Sequence, residues 1–269
     1  MSESHFDAAV ALQPQADGTF LGHTHAAYGN MVGPFGGITA AQALNAVLQH
    51  PERLGDPISL TVNFAAALAE GPFTVIARPA RTNRSTQHWV IEIQQQGQAV
   101  LTGTAFFGLR RDTWGVDEQV MPEVPRPADV QDGERPARVD WVKRYEMRFV
   151  EGAIPSEWNG VDQGTSRTRM WLRDNPPRPL DFASLTALSD VFFPRVWRRR
   201  PTFVPIGTVS MTVYYHADQA LLKATGDGYI LGQTQAQAFR NGYFDQTAQL
   251  WNEAGRLLVT THQVVYYKE

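Results

Sequence analysis

The sequence predicts an α+β protein built of two tandem repeats, each a long helix wrapped by a curved antiparallel sheet. Three observations predict it. Residues 36–50 are apolar nearly all round, alternating segments joined by short turns follow them, and the same order of segments returns in the second half. The chain has 269 residues, enough for two units of about 100–150 residues each.

The first helix reads GGITAAQALNAVLQH, with its polar residues Thr39, Gln42, Asn45 and Gln49 on one narrow stripe. Such a stripe on an otherwise apolar cylinder predicts burial on almost every side. Gly36 and Gly37 at its start allow close backbone approach and leave N–H groups open to a ligand oxygen. Strands are expected over 58–68, 73–81, 86–96 and 100–110, with Gly71-Pro72, Asn83 and Gly97 as turn formers between them. Joints this short connect antiparallel neighbours, since a parallel crossover needs a dozen residues or more.

The repeat is visible residue by residue. Ser59-Leu60-Thr61-Val62-Asn63-Phe64 matches Ser210-Met211-Thr212-Val213-Tyr214-Tyr215, and Gly97-Gln98-Ala99-Val100-Leu101-Thr102 matches Gly255-Arg256-Leu257-Leu258-Val259-Thr260. Between the halves lies a stretch over 113–140 with Pro122, Pro125, Pro127 and Pro136, many charges and no sustained periodicity, which reads as a surface linker. The expected organisation is an N-terminal repeat over 1–112, the linker over 113–140 and a C-terminal repeat over 141–269. A helix wrapped by an antiparallel meander is the hotdog architecture, and two per chain make a double hotdog. Because a lone curved sheet leaves unpaired edges, the halves should pack as a pseudo-dimer with continuous sheets and both long helices on one side.

Composition narrows the chemistry. With 24 Lys+Arg against 27 Asp+Glu the formal charge is −3, so no global positive field recruits nucleic acid or an anionic membrane. There is no cysteine, which excludes disulfides, thiolate nucleophiles and Cys-ligated metal. Residues 1–13 carry Glu3, His5 and Asp7 without a basic start or an apolar run, and no stretch of 18 apolar residues occurs, so the expectation is a cytoplasmic protein without membrane insertion. No G-x-S-x-G elbow is present, and Gly226, Gly228 and Gly232 lack dinucleotide-binding spacing. His23 and His25 would share one side of a strand but have no third ligand, so no metal or other cofactor is called for.

The run Gly33-Pro34-Phe35-Gly36-Gly37, leading into an apolar helix, resembles the V-F-G-G-Q segment of the double-hotdog type II acyl-CoA thioesterases. In the second half Leu188-Ser189-Asp190, Gly207-Thr208-Val209 and His262-Gln263-Val264 match the places where that family keeps an Asp, a Thr and a Gln. The resemblance covers residues 18–269 apart from the linker. It departs at Ile38, where the family often has Gln, which implies an altered or inert site in the first half. The resemblance implies hydrolysis of fatty acyl-CoA to free acid and CoA, with Asp190, Thr208 and Gln263 catalytic and acyl-CoA the partner molecule.

Each residue has a structural reading beside the chemical one. Asp190 sits among Leu188, Val191, Phe192 and Phe193, late in a helix whose dipole disfavours an anion there. It either reaches solvent or Arg195, or serves as a general base with a pKa raised by burial. Gln263 shares an apolar strand face with Leu257, Val259, Val265 and Tyr267, and either bonds backbone or water at an edge, or orients a reacting water. Thr208 is expected on one face with Ser210 and Thr212, as part of a wet strand face or as a hydroxyl that positions the water. At the repeat offsets, Thr208 and Gln263 fall opposite Pro57 and Ala105, which points to one site per chain. Arg195, Arg198, Arg199 and Arg200 flank Trp197. They form either a solvated loop with an Arg–aromatic contact or a landing site for the phosphates of coenzyme A, and Arg195, Arg198 and Arg199 join Gly36 and Gly37 as the expected substrate-binding residues.

Two rival functions follow from the same fold. A hotdog hydratase or dehydratase pairs a histidine with a carboxylate, but the sequence has no D-x-N-x-x-H run and no histidine beside Asp190. A non-catalytic acyl-CoA or lipid binder would keep the cleft without turnover. Acyl length, CoA against carrier protein, and assembly into a homo-oligomer are not written in the sequence.

Overall fold

The buried helix and the strands that follow it form where the periodicity puts them, and a computed structural model describes residues 4–131 and 138–269. The first repeat runs α1 (His5–Val10), β1 (Gln13–Pro14), β2 (Phe20–His23), α2 (Gly36–Leu48), β3 (Asp56–Phe64), β4 (Pro72–Thr82), β5 (Thr86–Gln95) and β6 (Gln98–Gly108). The second opens with β7 (Tyr145–Glu151), β8 (Thr168–Asp174), α3 (Phe182–Leu188), α4 (Val196–Arg199) and β9 (Ile206–Tyr215). It closes with α5 (Gln219–Thr225), β10 (Ile230–Gln235), β11 (Phe239–Arg240), β12 (Tyr243–Asn252) and β13 (Leu257–Tyr267).

All strands join one 13-stranded antiparallel sheet in the order β1-β2-β4-β5-β6-β3-β9-β13-β12-β10-β8-β7, with β11 beside β12. Outward from the centre, each half repeats the same sequence of strands. The seam is β3 against β9, where Thr61 pairs with Thr212, Ser59 with Tyr214 and Asn63 with Ser210. Thr61 and Thr212 are also equivalent residues of the repeat, so a local twofold axis passes through this pair, and their hydroxyls are 3.0 Å apart.

A β-bulge is duplicated with the repeat. In β3 the register shifts between Pro57 and Ser59, and in β9 between Thr208 and Ser210, leaving Ile58 and its equivalent Val209 as the extra residues. This corrects the expected strand face. Thr208 pairs with Val265 and so points to the inner side with Gln263, while Ser210 and Thr212 point to the other side.

The polar stripe of α2 has a structural use. Gln42 Nε2 donates to Ala9 O at 2.7 Å and Asn45 Nδ2 to Val10 O at 2.7 Å, satisfying carbonyls at the end of α1. The second helix is a further correction: α3 has 7 residues, all buried, against 13 in α2, and it ends at the Ser189-Asp190 turn. The two helices pack on each other.

The Pro-rich stretch lies along the second repeat, whose Trp171 and Trp251 indoles donate to Pro125 O at 2.8 Å and Gln119 O at 3.0 Å. Residues 132–137 of this stretch, Pro136 included, and Glu3 at the N-terminus lie outside the described residues. Among the described residues no helix is long and apolar enough to cross a membrane.

Candidate active site

Asp190 lies two residues beyond the end of α3, not within the helix, and faces the start of α2 from the other repeat. Ser189 closes α3 by donating from its hydroxyl to Leu185 O at 2.7 Å. The Asp190 carboxylate accepts from Gln263 Nε2 at 2.8 Å and from the Gly37 backbone N–H. A Cβ at Gly36 would come within 2.9 Å of Asp190 Oδ2, so only glycine leaves that space open. Burial pushes the carboxyl up to about 7, while the bonds from Gln263 and Gly37 pull the other way. The positive end of α2 also favours the anion.

Gln263 is 2% exposed, held on the inner face of β13 beside Met211. Thr208 stands one pair further along the same face, opposite Val265. Among the described residues no hydrogen bond joins Thr208 directly to Asp190 or Gln263. The structure thus brings Asp190, Gln263, Gly36 and Gly37 into contact, with Thr208 on the same inner face. Counted from the helix caps Phe35 and Asp181, Asp190 corresponds to Leu44, which is fully buried. With Pro57 and Ala105 at the other two positions, the first repeat has apolar residues in place of all three.

A pocket of about 40 Å³ adjoins this constellation, lined by Pro34, Gly36, Thr39, Phe64, Leu68 and Leu101 among others. The repeat equivalent of Phe64 is Tyr215, which is 2% exposed and bonded through its hydroxyl to Thr186 at 2.6 Å.

The arginine cluster is divided by the fold, which corrects the expectation for Arg195. Arg195 is fully buried, and its guanidinium donates to Phe193 O, Ser166 O and the Thr168 hydroxyl. It is spent on internal acceptors, contacts neither Asp190 nor the surface, and is unavailable to a phosphate. Arg199 is paired with Asp162 at 2.7 Å and Arg198 donates to Ala153 O at 3.2 Å, both on the loop over 152–165.

Sequence reasoning missed a second buried carboxylate. Asp174, at the end of β8, is 4% exposed, accepts from the Ser184 hydroxyl at 2.5 Å and is raised by burial to about 7. Its only signal in the sequence is a carboxylate closing the strand TRMWLRD just after the apolar run Met170-Trp171-Leu172.

The chain matches the family model described as the acyl-CoA thioesterase N-terminal domain over residues 25–108 and the model of the C-terminal domain over 118–267. No curated protein matches it. A conserved hot dog protein of unknown function from Alicyclobacillus acidocaldarius is 47% identical over 99% of each chain, with a TM-score of 0.93. An acyl-CoA thioesterase II from Mycobacterium marinum is 15% identical over 98% of each chain, with a TM-score of 0.77. The tesB protein of Mycobacterium avium is 18% identical over 98% of each, with a TM-score of 0.76. At those lower identities the likeness is one of fold.

Proposed function

The chain belongs to the acyl-CoA thioesterase family, and from that premise we propose that it hydrolyses acyl-CoA to the free acid and CoA by direct attack of water, using Asp190, Gln263 and Thr208. The observation that carries this reading is the Asp190 carboxylate, bonded by Gln263 at 2.8 Å and set at the N-terminus of a helix from the other repeat.

Asp190 takes a proton from water as the water oxygen bonds to the thioester carbon. The carbonyl oxygen becomes an oxyanion. The α2 helix has no side-chain cap, so first-turn N–H groups not bonded to Asp190 stabilise that charge. The carbon–sulfur bond then breaks, and the departing thiolate recovers the proton from Asp190. Gln263 fixes the carboxylate without being able to accept the proton, and the Thr208 hydroxyl positions the water. No covalent enzyme intermediate is required.

The test is release of free CoA thiol from acyl-CoA by the purified protein, with the Asp190→Asn variant beside it. Thiol release that depends on Asp190 supports the proposal. Binding without release would make the protein a carrier, and hydration of an enoyl-CoA would make it a hydratase.

A further inference from the structure

The pocket beside Asp190 is small, and part of its wall is held by backbone contacts. Gly36 separates the two, since a Cβ there would meet Asp190 Oδ2 at 2.9 Å and the Phe64 ring at 3.5 Å. Beyond Gly36 the pocket holds about 40 Å³. One water needs roughly 10–15 Å³ of such space, so about three non-hydrogen atoms fit. Thr39 turns its hydroxyl back to Phe35 O at 3.3 Å, and the lining is mostly apolar.

The far wall has little freedom to retreat. Leu68 and Leu101 are 3% and 1% exposed. The N–H groups of Ala65 and Ala66 both donate to Val100 O, pinning the chain that leaves β3 against β6. Gly33 has a φ of 67° and lies so close to Leu68 O that a Cβ would stand 2.7 Å from it, which ties the segment before α2 to the same wall. Phe64 differs from these leucines. It is only partly buried and carries no hydroxyl, whereas its repeat equivalent Tyr215 is anchored to Thr186.

We propose that this pocket receives the acyl group and restricts the protein to short acyl-CoA thioesters, on the order of two to four acyl carbons, with Phe64 setting the limit. The inference rests on the thioesterase reading above and deepens it by naming the substrate class. A longer chain would have to displace the Phe64 ring, the one aromatic side chain in the lining and only partly buried.

The experiment compares kcat/KM for acetyl-, butyryl-, octanoyl- and palmitoyl-CoA by free-thiol release. The expected profile peaks at two to four carbons and falls at least about tenfold by eight. Phe64→Ala should move the peak to longer chains, and Phe64→Leu, which keeps more of the strand packing, should move it the same way by less. A parental preference for palmitoyl-CoA, or Phe64 variants that fold and keep the parental profile, overturns the inference while leaving the thioesterase reading intact. No release from any acyl-CoA overturns that reading and this inference with it.

Discussion

Gln263 Nε2 donates to Asp190 Oδ1 at 2.8 Å across a sequence separation of 73 residues, tying the inner face of β13 to the turn that follows α3. One carboxylate oxygen is thereby held by an amide that cannot compete for a proton. The other, Oδ2, lies toward Gly36 and the pocket.

Replacing the base while keeping its shape isolates its chemistry. Asp190→Asn is expected to lower kcat about 10²–10⁴-fold with KM little changed. In the parent, kcat/KM should rise with pH and level off above about 7, because only the deprotonated carboxyl accepts the proton. Steady-state kinetics from pH 5 to 9 on both proteins check this, and a flat parental profile would count against Asp190.

The same pKa predicts a stability cost. Burial holds the folded carboxyl near 7, whereas in an unfolded chain it titrates near 3.9. Between those values the folded state binds more protons, so this group's contribution to stability is full below about 4 and lost as pH rises through about 7. Asp190→Asn should therefore raise stability by an amount on the order of 1–3 kcal/mol at pH 8 and by little at pH 4. Thermal melts at the two pH values give the comparison.

The Gln263 bond pulls the Asp190 pKa down, so removing it should raise that pKa further. Gln263→Ala is expected to lose about tenfold in kcat at pH 7 and to shift the pH profile to the alkaline side. Thr208→Ala should lose less and leave the profile in place. Each loss should shrink when Asp190 is already Asn, since the groups act as a unit. An unshifted profile in Gln263→Ala would show that the bond does not tune the base.

Adjacent glycines should answer differently to a side chain. At Gly36 the nearest neighbour of a new Cβ is Asp190 Oδ2 at 2.9 Å, a side-chain atom that can move, so Gly36→Ala should lower kcat with a near-parental Tm. At Gly37 a Cβ would meet the Phe35 ring at 2.5 Å and Ala187 O at 2.7 Å, and a backbone carbonyl cannot yield. Gly37→Val should therefore cost about 1–3 kcal/mol of stability as well as activity. Calorimetry beside kinetics separates the two outcomes.

Arg195 offers a control for the coenzyme contacts. Its guanidinium is enclosed, and burial pushes its pKa down to about 9. Arg195→Met strips Phe193 O, Ser166 O and Thr168 of their donor and should cost about 1–3 kcal/mol or more. In the folded fraction KM for acyl-CoA should stay parental. A raised KM at unchanged stability would return Arg195 to the substrate.

Much of this architecture is legible along the chain. Helix α2, strands β3 to β6 and the repeat are written in periodicities of a few residues and in two matched segments, and the match of Thr61 to Thr212 even names the pair on the local twofold axis. Asp190 and Gln263 stand out locally as polar groups on apolar elements and Gly36 and Gly37 as an open helix start, and the resemblance to the type II acyl-CoA thioesterases gathers them into one site. Other features depend on distances between elements, which no local pattern records. A single bulged residue, Val209, turns Thr208 to the inner face. Arg195 reads as surface charge until Ser166 and Thr168 are brought to it by the fold. The pKa of Asp190 and the room beside Phe64 likewise follow from what lies around them in space. Periodicity is a property of neighbours in sequence, whereas desolvation, hydrogen-bond partners and free volume are set by segments that meet only when the chain has folded.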